Sequence, residues 1–433
     1  MNRDYISDGA AQARPRVAIL LGAPFTDQNV ERLGLLSLAQ HFDVFVVDCA
    51  RLIGRNPDAI AAQRATWPHY LTADTPDALR LALQSYGVGW AIDNIGLDVE
   101  TAWLGELVQS LGIGLISVQS GLLPQSTLFN RLHSFLVLPG AKDAAALEAP
   151  SHDQPPVPGA AAAVDRLLAY GGKIFGRLAL AWRRRQQVPV PDLVLLAGDD
   201  ALRQGNSGRA PARIWIGSED FYKFREVEAA LAAQGLVNPR PPFVLFVDVC
   251  LPHASDWKFL GIKPPISASE YYPRLRGLFD TVERCLGMPV VVAGHPNSRG
   301  VSDYGTLIGG RELVFGQTAA LVMQSSLVLT HASTATSFIA MANKPSVFVS
   351  SRAMDLTYYG GRVRAMAQAM RSPLVMLEDA AVLAHSALPS RADVTACHRY
   401  VARYLRSDRS TEVQPWAALI DYIARHPSGP IHR

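Results

Sequence analysis

Five of the eight residues from Thr330 to Ser337 carry hydroxyls, in the stretch "VLTHASTATSFIAMANKP" where a run of Val, Leu and Thr gives way to a helical pattern. A helix that starts near Ser333 or Thr334 has free backbone N–H groups in its first turn and the positive end of its dipole there, which suits a phosphate. The hydroxyls of Ser333, Thr334 and Thr336 add hydrogen bonds without adding charge. Two other apolar runs end in similar chemistry: "VVVAG" leads into His295, Pro296, Asn297, Ser298 and Arg299, and "FVLFVD" leads into Pro252 and His253. A Ser or Thr at a helix start is ordinarily only an N-cap, and a single His ordinarily a structural hydrogen-bonder. Here three run ends share the pattern, so His253, His295, Pro296, Thr330, His331, Ser333 and Thr334 are the candidate contacts to a phosphorylated ligand.

A proton acceptor would have to come from another part of the chain. Asp93 follows "GWAI", Asp199 and Asp200 follow "DLVLLAG", and Glu219 and Asp220 lie in "IGSEDFYKF". Asp220 ranks before Asp93 and Asp200 as a catalytic base, because Phe221, Tyr222 and Phe224 would desolvate its carboxylate and raise its pKa. Each of these acids also reads as a helix cap. Asp248, which closes "FVLFVD", reads as structural or donor-side. There is no Asp-x-Asp triplet and no HExxH, and the eleven His residues form no cluster with other metal ligands, so no metal is expected. Lys258, Lys263, Arg299 and Arg311 are the cations available to a leaving phosphate.

The elements that must position these residues follow one pattern. "RVAILLGAP", "FDVFVVDCA", "GWAIDNIG", "GIGLISVQSG", "PDLVLLAGDD" and "ARIWIGSED" are short apolar runs closing in small or polar residues, with helical intervals between, the first spanning Asp27 to Gln40. After "NPRPP" the pattern restarts with "FVLFVD", "MPVVVAGHP", "RELVFG", "SLVLTHAS", "KPSVFVSS" and "PLVMLED". Continuous apolar runs of this kind indicate parallel strands covered on both faces. The expected fold is α/β, two tandem Rossmann-like doubly wound domains facing a cleft. The expected boundaries are residues 1–240 and 241–433, with the last helix free to pack back on the first domain. In such sheets ligands bind beyond the carboxyl ends of strands. That is where the residues above lie.

Composition narrows the classes. A net charge of +3 is too small for a broad nucleic-acid footprint, so no nucleic-acid partner is expected. Cys49, Cys250, Cys285 and Cys397 form no CxxC pair and read as reduced thiols. The first sixteen residues lack an apolar core and no run approaches the ~20 apolar residues of a membrane span. A cytoplasmic protein is expected. The run 140–159, rich in Ala and Pro, reads as a surface loop, and Lys173 to Gln187, with Trp182 beside Arg183 to Arg185, reads as a helix with a basic solvent edge. The same helix could instead rest peripherally on an anionic inner-membrane surface.

"GHP" at one strand end, followed by a strand leading into "HASTATSFIAMANKPSVF", resembles the paired His-Pro and Ser/Thr motifs of GT-B glycosyltransferases. The likeness is to bacterial sialyltransferases and Kdo transferases, and to surface-polysaccharide biosynthesis proteins that share "FVLFVDVCLP", "YYPRLRGLFD" and "GGRELVFGQTAALV". It covers Phe243 to Ser350. The resemblance implies that His295 and Pro296 sit at the nucleotide and that Ser333 and Thr334 sit at its phosphate. It also implies an inverting, metal-independent transferase whose donor is a nucleotide-sugar, a CMP-activated Kdo or nonulosonate, with no further cofactor and a glycan or lipid-linked acceptor. The family's paired acidic motif ending in Gly is absent: Asp199-Asp200 is followed by Ala201. The alternatives are a non-hydrolysing UDP-sugar 2-epimerase and a non-catalytic glycan- or nucleotide-binding protein.

Overall fold

The computed structural model describes residues 14–23, 25–55, 65–98, 100–124, 188–235, 240–254, 257, 263–355, 357–383, 388–427 and 429–430. The Ala- and Pro-rich run, the basic segment with Arg183 to Arg185, and Lys258 lie outside them.

The first sheet holds β1 (Arg16–Leu21), β2 (Asp43–Asp48), β3 (Tyr70–Thr72), β4 (Trp90–Asn94), β5 (Gly114–Gln119), β6 (Leu193–Ala197) and β7 (Ala212–Ile216) in the order β3-β2-β1-β4-β5-β6-β7. The second holds β8 (Val244–Val247), β9 (Val290–Gly294), β10 (Glu312–Phe315), β11 (Leu327–Thr330), β12 (Ser346–Ser350) and β13 (Leu374–Met376) in the order β10-β9-β8-β11-β12-β13. Neighbours throughout are parallel, with Thr330 opposite Val247 and Leu21 opposite Asn94. The fold is therefore two parallel-sheet α/β units, as the apolar runs imply. Strand order reverses between β1 and β4 and again between β8 and β11, which marks the crevice of each sheet.

Alternation accounts for the two covered faces. Val17, Ile19 and Leu21 join one apolar layer with Trp90 and Leu193, while Ala18 and Leu20 join another with Val47, Leu79, Leu83 and Leu104. β3 had no counterpart among the quoted runs. Three residues of half-buried edge strand give too little pattern to see.

The interval Asp27 to Gln40 is two short helices, Asp27–Arg32 and Leu35–Ala39, not one. Gly34 between them is left-handed (φ +57), and a Cβ on it would overlap the Trp416 indole. The break makes room for the C-terminal helix Pro415–Arg425, whose Leu419 and Ile423 lie in the first sheet's core.

Two passages between the units lie among the described residues. The helix Glu219–Ala233 leaves β7 with Ser218 as its N-cap, and its Phe224 stacks on Phe338 of the second unit at 6.5 Å. The return runs through a π-helical turn, Val401–Leu405, after which Ser218 N–H donates to the Leu405 carbonyl at 2.7 Å and Gly217 bridges Arg406. Gly198, left-handed after β6, lies against the Arg403 backbone where a Cβ would collide.

Candidate functional site

β9, β8 and β11 are three neighbours in the second sheet. Their carboxyl ends carry His295-Pro296, the Pro252-His253 turn and the hydroxyl-rich segment, so the structure gathers these predicted residues along one edge. Asp248, the first residue after β8, is 3% exposed and splits its carboxylate between the two loops: Oδ1 accepts Cys250 N–H at 2.7 Å and Oδ2 accepts His295 N–H at 3.2 Å. His295 is half-buried and caps its own 3₁₀ turn, Nδ1 accepting the Asn297 N–H at 3.2 Å, while the Ser298 hydroxyl donates to the His295 carbonyl at 2.7 Å. Pro296 is exposed, and the exposed His253 stacks on Tyr272 with centroids 5.9 Å apart.

The hydroxyl segment departs from expectation. The helix begins at Thr336, not at Ser333 or Thr334, and runs only to Met341. The preceding turn uses the N–H groups that a phosphate would need: Ala335 N–H donates to Ser333 Oγ, Thr336 N–H to Ser333 O and Ser337 N–H to Thr334 O. What the segment still presents outward is side chain, with Ser333 half-buried and Thr334 exposed. Thr330 and Thr336 are fully buried and their hydroxyls have no hydrogen-bond partner among the described residues.

His331 turns inward. Its Nδ1 lies 2.6 Å from the Val349 carbonyl oxygen, so Nδ1 carries the proton and Nε2 accepts from the Tyr271 hydroxyl at 2.8 Å. Complete burial pushes its pKa down to about 4, which keeps the ring neutral. His331 is a strut beneath the edge rather than a ligand contact, and a strand end read from sequence alone does not distinguish the two.

The first-unit acids have diverged in use. Asp93 accepts three N–H groups, from Ile95, Gly96 and Leu97, and so shapes the loop after β4. Burial nevertheless raises its pKa, against the lowering by those bonds. Asp200 accepts from Arg403 Nε at 3.0 Å and Nη2 at 2.6 Å, and Asp199 accepts from the Ser407 hydroxyl at 2.6 Å. Both clamp the returning chain.

Asp220 is different, because it faces Ser337 of the hydroxyl segment. Burial raises its pKa, while the Ser337 hydroxyl, Arg32 and Lys223 favour its charged form. Its neighbour Glu219 is pushed up to about 7, chiefly by burial and further by the charges of Asp220 and Glu31, against Arg32 and Lys223. Of the three predicted bases, Asp220 is the one that the structure brings to the other unit's hydroxyls.

Of the predicted cations, Arg311 is bound to Asp280 and Glu283, and Arg299 lies over the Phe315 ring at 4.4 Å. Lys263 is exposed. Among the described residues no three His, Cys, Asp or Glu side chains gather to hold a metal, and no helix is long and apolar enough to cross a membrane. Asp248 reads from sequence as structural or donor-side, and in the structure it joins two loops of the second unit. Asp48, Asp93 and Asp248 each stand within one residue of a strand's carboxyl end, and each accepts the N–H two residues on.

No family model matches the chain, and no curated protein matches it. Among solved structures, it is similar to Phytolacca americana UGT2 complexed with UDP-2fluoro-glucose and pterostilbene, at 15% identity over 96% of this chain and 100% of that one, with a TM-score of 0.47. It is similar to the wall teichoic acid polymerase TagF, at 11% identity over 96% and 90%, with a TM-score of 0.45. It is also similar to the Methanocaldococcus jannaschii UDP-GlcNAc 2-epimerase in complex with UDP-GlcNAc and UDP, at 9% identity over 95% and 99%, with a TM-score of 0.43. The two-sheet architecture rests on the strand order itself.

Proposed function

We propose that the chain is a GT-B glycosyltransferase that takes a nucleotide-sugar donor at the β9-β8-β11 edge and passes the sugar to a glycan or lipid-linked acceptor. The observation that carries this reading is the meeting of His295-Pro296, Pro252-His253 and Ser333-Thr334 on three adjacent strand ends beside the β8/β11 crevice. The motif resemblance puts the nucleotide at His295-Pro296 and its phosphate at Ser333-Thr334. In the finer reading the donor is a CMP-activated acidic sugar of the Kdo or nonulosonate type, with no metal required.

In this mechanism the Ser333 and Thr334 hydroxyls hold the phosphate, and the ring of His295 donates to an acceptor oxygen of the nucleotide. A first-unit carboxylate, Asp220, takes the proton of the acceptor hydroxyl as that oxygen bonds to the anomeric carbon. The bond from that carbon to the phosphate oxygen breaks on the opposite side, so configuration inverts. A base with a raised pKa suits this step near neutral pH.

Calorimetry of CMP, UDP and GDP against the parent and against a Ser333→Ala/Thr334→Ala variant tests the site. The expected result is CMP binding that weakens in a still-folded variant. Equal affinity in both proteins rejects the phosphate assignment. Nucleotide release from the donor that depends on acceptor supports transfer. A preference for UDP, with sugar conversion and no acceptor, supports the epimerase instead, and binding with no turnover supports a non-catalytic role.

A further inference from the structure

Each oxygen of the Asp248 carboxylate holds one of the loops that the proposed site depends on. The bond to Cys250 N–H secures a residue in the left-handed region (φ 50, ψ 40), which a side-chain-bearing residue enters only against a conformational cost. The bond to His295 N–H secures the start of the next loop. Two donors converging on one buried side chain need a group that only accepts. An amide retains one acceptor oxygen, and an apolar side chain would leave both N–H groups unpaired.

The consequence reaches the His295 ring. With its N–H on Asp248, its carbonyl on both the N–H and the hydroxyl of Ser298 and its Nδ1 on the Asn297 N–H, the residue is held through its backbone and its ring. Because Nδ1 accepts, the neutral ring carries its proton on Nε2. Burial, reinforced by the charge of Asp248, raises the phenols of Tyr271, Tyr272 and Tyr304, so that all three stay neutral. The charge of Asp248 is therefore the fixed point from which both loops are hung.

We infer that Asp248 is a positioning residue that acts through His295, setting the loop and the Nε2–H tautomer with which that ring meets the nucleotide. The inference rests on the proposed nucleotide site. Asp248 does not itself touch the ligand.

A double-mutant cycle tests it, using CMP, UDP and GDP in calorimetry with the full chain. Asp248→Asn is expected to weaken binding of the preferred nucleotide by about tenfold or more, and Ser298→Ala to weaken it by a smaller factor. In a His295→Ala background Ser298→Ala should cost nothing further and Asp248→Asn should cost less than it does in the parent, keeping only what the Cys250 loop contributes, because the ring through which both act is gone. Losses that simply multiply in that background, or no loss in either single variant, overturn the inference. Ser298→Ala keeps the cycle informative if Asp248→Asn does not fold.

Ring ¹⁵N shifts of His295, compared between parent and Asp248→Asn or Ser298→Ala, give a reading without ligand. A fall in the Nε2–H tautomer supports positioning, and an unchanged ring overturns it. If the parent binds none of the three nucleotides, the proposed site fails while the ring shifts still decide the positioning.

Discussion

Arg403 donates through both Nε and Nη2 to a single oxygen of Asp200, joining the end of β6 to a turn that lies 203 residues further along the chain. This pair explains what the acidic doublet after "DLVLLAG" does. Asp199 and Asp200 receive the chain on its return from the second unit. Asp200→Asn is expected to lower stability by about 1 kcal/mol or less, since the Arg403 side chain is 44% exposed and screened by solvent. Nucleotide affinity should be unchanged. Chemical denaturation and calorimetry on the same preparation check both statements.

Turnover separates the three acids. Asp220→Asn is expected to lower the rate by a hundredfold to ten-thousandfold, the order typical of removing a positioned base, with donor affinity retained. Asp93→Asn should act through stability, because an amide cannot accept all three N–H groups of the loop after β4. Rates, melting temperatures and donor affinities measured side by side decide this. Near-parent turnover in Asp220→Asn would remove it as the base.

Stability should fall with rising pH on account of Glu219. Its folded pKa, about 7, lies above its ordinary 4.5, so the folded state holds a proton that the unfolded chain has released. The stabilisation is fully present below about pH 4.5 and is lost as pH rises through about 7. The raised carboxyls of Asp220 and Asp93 act in the same direction. In Glu219→Gln the decline in melting temperature between about pH 5 and pH 8 should become shallower. An unaltered slope would show that Glu219 titrates normally.

His331 works in the opposite sense. Its folded pKa of about 4 lies below the ordinary 6.5, so the unfolded chain gains a proton first as the solution is acidified. Stability contributed by the neutral ring is complete above about pH 6.5 and is lost as pH falls through about 4. Tyr271→Phe removes the donor to Nε2 and leaves a buried acceptor unpaired, at a cost of about 1–3 kcal/mol. Denaturant melts at neutral pH, set beside an acid titration of unfolding, measure the two effects.

Strands were the legible part of this chain. Among the described residues twelve of the thirteen strands coincide with an apolar run ending in small or polar residues: interior strands are buried on both faces and so apolar without interruption, while the edge strands β7, β10 and β13 are less buried yet keep enough apolar residues to show. Tyr70–Thr72 is three residues long with a single aliphatic side chain, Leu71, and shows no run at all. The site was legible only as strand ends. Sequence places His295 and His331 at equivalent positions, and what separates them is which way the chain turns after each strand. His331 meets Tyr271 of a helix 60 residues away, and no local pattern encodes that meeting. The same holds for the Ser333 turn, whose hydroxyl accepts the Ala335 N–H in the manner of a cap. The acids at 199, 200 and 220 all follow strands, yet their partners come from the far end of the chain or from the other unit.

The Pro415–Arg425 helix has a consequence for biosynthesis. During translation the seven strands of the first sheet leave the ribosome about two hundred residues before Leu419 and Ile423, the two side chains that complete one of their faces. Until then that face is an open apolar slot, and the break at Gly34 has no Trp416 to receive. The six strands of the second sheet have all emerged by Met376. The later-synthesised unit can therefore mature before the earlier one, and a chain released short of the last helix would expose an unfinished core in the half that was made first.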